Sequence, residues 1–151
     1  FQTLKIHSSY TRQKDGTIVK TPDNAFVEVL PRFAADAPAY NQLKEMVVVH
    51  TGLELGATIY LDYSIITKPG YYPALDINER LQETSPVKEC KVSISVPEGT
   101  PLACGLYGSP VKAVEESHDG IKEVHWTLRN IPASSLVRLS NQRTVRLHPT
   151  W

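Results

Sequence analysis

Apolar and polar side chains alternate through most of this chain. In Ile59-Tyr60-Leu61-Asp62-Tyr63-Ser64-Ile65 the odd positions are apolar, while Tyr60, Asp62 and Ser64 occupy the even ones. A β-strand sends successive side chains to opposite faces, so this run predicts one packed face and one wetted face. Val124, Trp126 and Leu128 repeat the pattern against Glu123, His125 and Thr127, which assigns Trp126 to the core and His125 to the surface. Read in this way, the chain predicts strands over Thr3 to Arg12, Ile18 to Lys20, Ala25 to Val29, Lys44 to His50, Thr58 to Thr67 and Ile77 to Glu83. Further strands follow over Val87 to Val96, Leu102 to Tyr107, Val111 to Ser117, Lys122 to Arg129 and Thr144 to His148. Eleven prolines and eight glycines separate these runs at short intervals, which favours strands over helices. Half-buried strands must cover one another's apolar faces. The expected fold is therefore all-β, an antiparallel two-sheet β-sandwich, favoured over a closed barrel.

Connections follow from local chemistry. Asp15-Gly16 and Asp119-Gly120 suit turns that need positive φ. Arg32 to Leu43 reads as a long loop with room for one helical turn at Asp36-Ala37-Pro38-Ala39-Tyr40-Asn41, and Ile131 to Ser135 reads as an exit segment. A length of 151 residues fits a single domain with a real core, because a domain of this size buries roughly two thirds of its unfolded surface. The chain opens on Phe1 rather than methionine, which suggests a fragment of a larger multidomain protein.

Charge narrows the function classes. Sixteen basic residues balance sixteen acidic ones, so the broad basic face that a nucleic-acid backbone rewards is not expected. No apolar run approaches the ~20 residues of a membrane-spanning helix.

Candidate nucleophiles, bases and metal ligands do not converge in the sequence. Cys90 shares an apolar strand face with Val92, Ile94 and Val96, and Cys104 shares one with Leu102 and Leu106. Pairing these two runs as a hairpin across Pro97-Glu98-Gly99-Thr100 puts Cys104 opposite Val92 or Ile94, and Cys90 opposite Leu106 or Gly108. The sulfurs are then too far apart to bridge. Both thiols read as small core hydrophobes, with Cys104, beside Gly105, the better placed of the two for a nucleophile. The five histidines lack paired ligand spacing. Glu115-Glu116-Ser117-His118-Asp119, the densest polar cluster, reads as a solvated hairpin end rather than a metal site. Nothing in the spacing of Asp62, Asp76, Glu79 and Glu83 singles out a carboxylate pair for glycoside chemistry. No catalytic residue, metal or cofactor is assigned. The remaining candidates are aromatic: Tyr71 and Tyr72 follow Lys68-Pro69-Gly70 in a loop, and together with Tyr60 they offer rings that stack on a glycan or a peptide. Trp151 is a further ring at the chain end.

The stretch Gly52-Leu53-Glu54-Leu55-Gly56-Ala57-Thr58-Ile59-Tyr60-Leu61-Asp62-Tyr63 resembles a motif of a bacterial family of unknown function that precedes transglutaminase-like, papain-related cysteine hydrolase domains in exported proteins. Lys14-Asp15-Gly16-Thr17-Ile18-Val19, Pro86-Val87 through Val96-Pro97-Glu98-Gly99, and His125-Trp126-Thr127-Leu128-Arg129-Asn130-Ile131-Pro132-Ala133 are similar in the same order. The resemblance implies a β-sandwich, a periplasmic or cell-envelope address, and an adjacent transglutaminase-like domain as partner in the same chain. It implies a non-catalytic accessory role, because the family's catalytic residues lie in the following domain. A carbohydrate-binding module of an exported protein is the alternative. Ala57 departs from the small polar or acidic residue usual at its position, and the strands that normally open the family's domain are not matched. Physically, Gly52 and Gly56 bracket a tight connection where positive φ costs glycine little.

Overall fold

The computed structural model describes residues 1–36, 39, 42–71, 76–134 and 144–148, with Phe33 and the last of these segments described by backbone alone. The predicted all-β class holds. The strands are β1 (Gln2–Arg12), β2 (Ile18–Lys20), β3 (Phe26–Val29), β4 (Glu45–Val48), β5 (Thr58–Thr67), β6 (Ile77–Arg80), β7 (Val87–Pro97), β8 (Ala103–Tyr107), β9 (Val114–His118), β10 (Ile121–Ile131) and β11 (Thr144–His148). Short 3-10 turns lie at Asp23–Ala25 and Arg32–Ala34, and Ala39 is 3-10 as well. Every strand pairing is antiparallel. The strands form four sheets, and the chain divides into two compact units, Phe1–Tyr71 and Tyr72–Trp151.

In the first unit, β2, β1 and β5 form one sheet in that order, and β3 pairs with β4 in another. A register shift between Ile6 and Ser8 marks a bulge in β1. The bulge brings Ser9 and Thr11 onto the face that Leu4 and Ile6 begin, since Leu4 pairs with Ile65, Ile6 with Tyr63, Ser9 with Leu61 and Thr11 with Ile59. The alternation in β5 is therefore present, but its burial is the reverse of the expectation. Ile59, Leu61, Tyr63 and Ile65 are 42–58% exposed, whereas Tyr60 and Ser64 on the opposite face are half-buried. The polar face is covered by its own side chains. Tyr10 stacks on Tyr60 with ring centroids 4.6 Å apart, the Arg12 guanidinium lies 5.3 Å from the Tyr60 ring, and His7 Nε2 is 2.7 Å from Ser64 Oγ.

The second unit holds the core. β7, β10 and β9 form one three-stranded sheet, and β6, β11 and β8 form another. Leu81, Ile94, Val124, Trp126, Leu128 and Ile131 are buried in a single cluster, with Ile77 of β6 and Cys104 and Leu106 of β8 packed against it. Both sheets thus contribute to one apolar layer, which is sandwich packing. Trp126 is 2% exposed, as its alternation predicts. Glu123 and His125 on the opposite face are half-buried rather than wetted, and no hydrogen bond reaches the buried His125 Nδ1, 3.8 Å from Glu123 Oε1.

The hairpin expected between the Cys90 and Cys104 runs does not form. β7 pairs with β10, and β8 pairs with β11. The cause is the link between them: Thr100 N–H turns back onto the Pro97 carbonyl at 3.1 Å, Glu98 N–H donates to Gly120 O at 2.7 Å, and Pro101 has no N–H to offer a ladder. The chain leaves one sheet and enters the other, so the two cysteines sit in different sheets. Both thiols are free. Within the span 32–43 expected as a loop, the described residues hold a 3-10 turn at Arg32–Ala34, ahead of the stretch where the sequence allows one. The helical turn allowed at 36–41 falls largely outside the described residues.

Candidate functional site

Two of the motifs that carry the family resemblance meet in the first unit. The β1–β2 hairpin turns at Asp15-Gly16, where the Asp15 carboxylate accepts the Thr17 N–H at 2.8 Å and is held below the usual carboxylate range by that bond. The loop 51–57 lies on this hairpin. Glu54 Oε1 accepts the Lys14 backbone N–H at 2.8 Å, and Gln13 Nε2 donates to the Gly52 carbonyl at 3.1 Å. Gly52 has φ +73°, and a Cβ there would lie 2.8 Å from Val19 Cγ2. The glycine is thus required twice, by backbone conformation and by close approach. The acid of the motif is spent on a backbone amide, which makes this constellation a structural joint.

Polar chemistry gathers at one further place in the unit. Ser9 Oγ lies 2.6 Å from Thr21 Oγ1 and 3.2 Å from His50 Nε2. Sequence reasoning missed this grouping, because residues 12 and 41 positions apart are brought together only by the β1–β2 and β3–β4 pairings. A serine beside an imidazole is the start of a nucleophile–base pair. Here, however, Ser9 is buried, its hydroxyl is shared with Thr21, and no carboxylate orients His50 among the described residues. The group acts as a buried hydrogen-bonded node.

The first unit also contains an open cavity of about 810 Å³. Leu4 and Ile6 of β1, Met46 and Val48 of β4, and Leu61, Tyr63 and Ile65 of β5 line it. Tyr71 stands at its side, stacked on Phe1 with centroids 4.0 Å apart and planes 6° from parallel. The candidate aromatic platform is therefore dispersed. Tyr71 borders the apolar cavity, while Tyr60 lies on the opposite face of the same sheet under Arg12, and Tyr72 and Trp151 lie outside the described residues.

The second unit places Cys104 against a cavity of about 260 Å³, lined also by Tyr107, Glu115 and Lys122. Lys122 Nζ and Glu115 Oε2 are 3.1 Å apart. Burial pushes the Cys104 thiol up from its ordinary value, Glu115 adds to the rise, and Lys122 opposes it; burial alone raises Cys90. These are surroundings that disfavour a thiolate. Iodoacetamide at neutral pH is expected to alkylate both thiols about ten-fold or more slowly than free cysteine, as read by mass spectrometry of the folded chain. Each thiol keeps its proton to higher pH folded than unfolded, so above the ordinary value of 9.0 the unfolded state binds fewer protons. Stability contributed by the protonated thiols is complete below that pH and falls as pH rises through it.

The cluster Glu115-Glu116-Ser117-His118-Asp119 forms β9 and the first residue of its turn. Its strand is exposed throughout, and alternation sends Glu115 and Glu116 to opposite faces. Asp119 and Gly120 take the positive φ that the sequence predicts, 52° and 73°. No group of three metal-binding side chains exists among the described residues.

A model of a domain family of unknown function with solved structures, DUF3857, matches residues 1–135. The chain belongs to this family. The match takes in both compact units, so the family's domain is not confined to either one. A crystal structure from Parabacteroides distasonis, described as that of a putative protease, is 90% identical over 97% of the present chain, with a TM-score of 0.90. The chain spans 30% of that protein's length. No curated protein matches.

Proposed function

We propose that this DUF3857 domain is a non-catalytic accessory domain of a longer polypeptide, holding or orienting a neighbouring hydrolase module. The observation that carries the reading is the 90% identity to less than a third of a longer chain described as a putative protease. The local chemistry agrees with it. The two thiols are packed against the apolar core with their protons held on by burial, and of the two serine–histidine contacts among the described residues, Ser9–His50 is part-buried and shared with Thr21 while Ser64–His7 lies exposed on a strand face. The resemblance read in the sequence supplies the finer expectation, a transglutaminase-like cysteine hydrolase as the neighbour and the periplasm or cell envelope as the location.

The test uses the 151-residue chain and the longer protein side by side. The chain alone is expected to release no product from a panel of peptides and activated esters, while the longer protein loses folded yield or kcat/KM when the domain is removed. Turnover by the chain alone that disappears in Cys104→Ser or Ser9→Ala overturns the reading. So does a longer protein that folds and works equally well without the domain.

A further inference from the structure

The two units bury their apolar side chains very unequally. Among the described residues, six of the eight buried apolar residues lie in the second unit, and the two in the first are Ala25 and Ala34. Conversely, seventeen of the twenty large apolar side chains that stand exposed belong to the first unit. A three-stranded sheet is stable when its apolar face is packed, and a contiguous apolar face left open marks a surface that something else covers.

The edges of the sheets point to the same place. β9 is an edge of five residues and carries Glu115, Glu116 and His118. β7, an edge of eleven residues, carries Lys88, Glu89 and Lys91 and ends on Pro97. Charges and proline are how sheet edges are kept from pairing. β5 is an edge of ten residues with Asp62 as its one charge, and among the described residues it pairs on one side only, with β1. This long unguarded edge borders the open cavity and the exposed face of Leu61, Tyr63 and Ile65.

We propose that β5 is an acceptor strand, and that its free edge and apolar face are completed by an extended segment of the same longer polypeptide from outside residues 1–151. The segment adds to the sheet antiparallel or parallel to β5 and places apolar side chains, at every second position, into the cavity. The longer relative supplies the material, since 70% of its chain lies outside the match. A permanent occupant fits better than a passing one, because among the described residues the buried apolar side chains of the first unit are small, with little to keep it folded between visits. The proposal rests on the reading that this domain works within a longer polypeptide.

Hydrogen exchange of the β5 amides, followed by mass spectrometry, tests it. Exchange over 58–67 is expected to be on the order of 100-fold slower in the full-length relative than in the 151-residue chain. Tyr63→Lys is expected to abolish that difference in the full-length protein while leaving exchange in the short chain unchanged. Val114→Lys, on the guarded edge, is expected to alter neither. Equal, fast exchange in both proteins overturns the proposal. Protection that appears in the short chain as its concentration rises, together with a doubled sedimentation mass, assigns the edge to a second copy and also overturns it. Protection that appears only when a peptide substrate is added does the same in favour of substrate capture. Each of these outcomes is independent of the hydrolysis assay, so failure of the strand-addition proposal and failure of the accessory reading are distinguishable.

Discussion

Replacing Trp126 with alanine is expected to remove about 3–5 kcal/mol of stability from the second unit, the range for truncating a large aromatic in a packed core. The indole lies on the central strand of the β7-β10-β9 sheet, opposite Val92 and between Val124 and Leu128 on the same face. All three flanking positions belong to the apolar layer, so no water can hydrate the space left behind without meeting hydrocarbon. A loss of this size is a large share of the ~5–15 kcal/mol that holds a typical domain folded. Urea unfolding followed by far-ultraviolet circular dichroism measures it. A loss under about 1 kcal/mol would mean that the cluster can collapse around the gap and that the core is not organised by this ring. Trp126→Phe, which keeps a ring in place, is expected to cost markedly less.

The second large effect is expected at Gly52→Ala, about 2–3 kcal/mol. Part is the cost of placing a side chain at positive φ, and part is overpacking, because the new Cβ falls 2.8 Å from Val19 Cγ2 and 3.0 Å from Val19 Cβ. Gly16→Ala separates the two contributions. Gly16 has φ +91° but open space around its missing Cβ, so its cost is the conformational part alone, about 1 kcal/mol. Val19→Ala combined with Gly52→Ala is expected to recover the steric part, giving a favourable coupling in a double-mutant cycle. Additive losses at the two positions would show that the loop has moved off the hairpin instead of pressing against it.

Much of the fold is legible in the sequence because alternation is a local property. Ile18–Lys20, Thr58–Thr67 and Thr144–His148 have the bounds that the pattern predicts. The inward positions Val124, Trp126 and Leu128 likewise follow from period two. Two features are beyond such reasoning. The first is partner choice. The pattern shows that the Cys90 and Cys104 runs each have an apolar face, but whether the faces lie side by side in one sheet or across from each other in two depends on the Pro97–Pro101 link and on competition from β10 and β11. The second is coverage. Alternation in β5 states which side chains share a face, and it cannot state whether anything lies over that face. The end of β10 is a smaller case. Asn130 takes φ +53°, and Ile131, which the sequence places in an exit segment, instead ends the strand and is buried at 1%.

The candidate site was less legible than the fold. Tyr60 and Tyr71 are close in sequence, but strand geometry places them on opposite sides of one sheet. Ser9, Thr21 and His50 are scattered in sequence and meet in space.

The clasp between Glu54, Gln13 and the hairpin at Lys14 bears on how the family signature is to be read. Its acid and its first glycine are consumed in fastening one loop to another, so a sequence that carries the signature declares that it shares this fastening. Substitutions at positions around the clasp that make none of these bonds can alter the surface of the unit without loosening the joint.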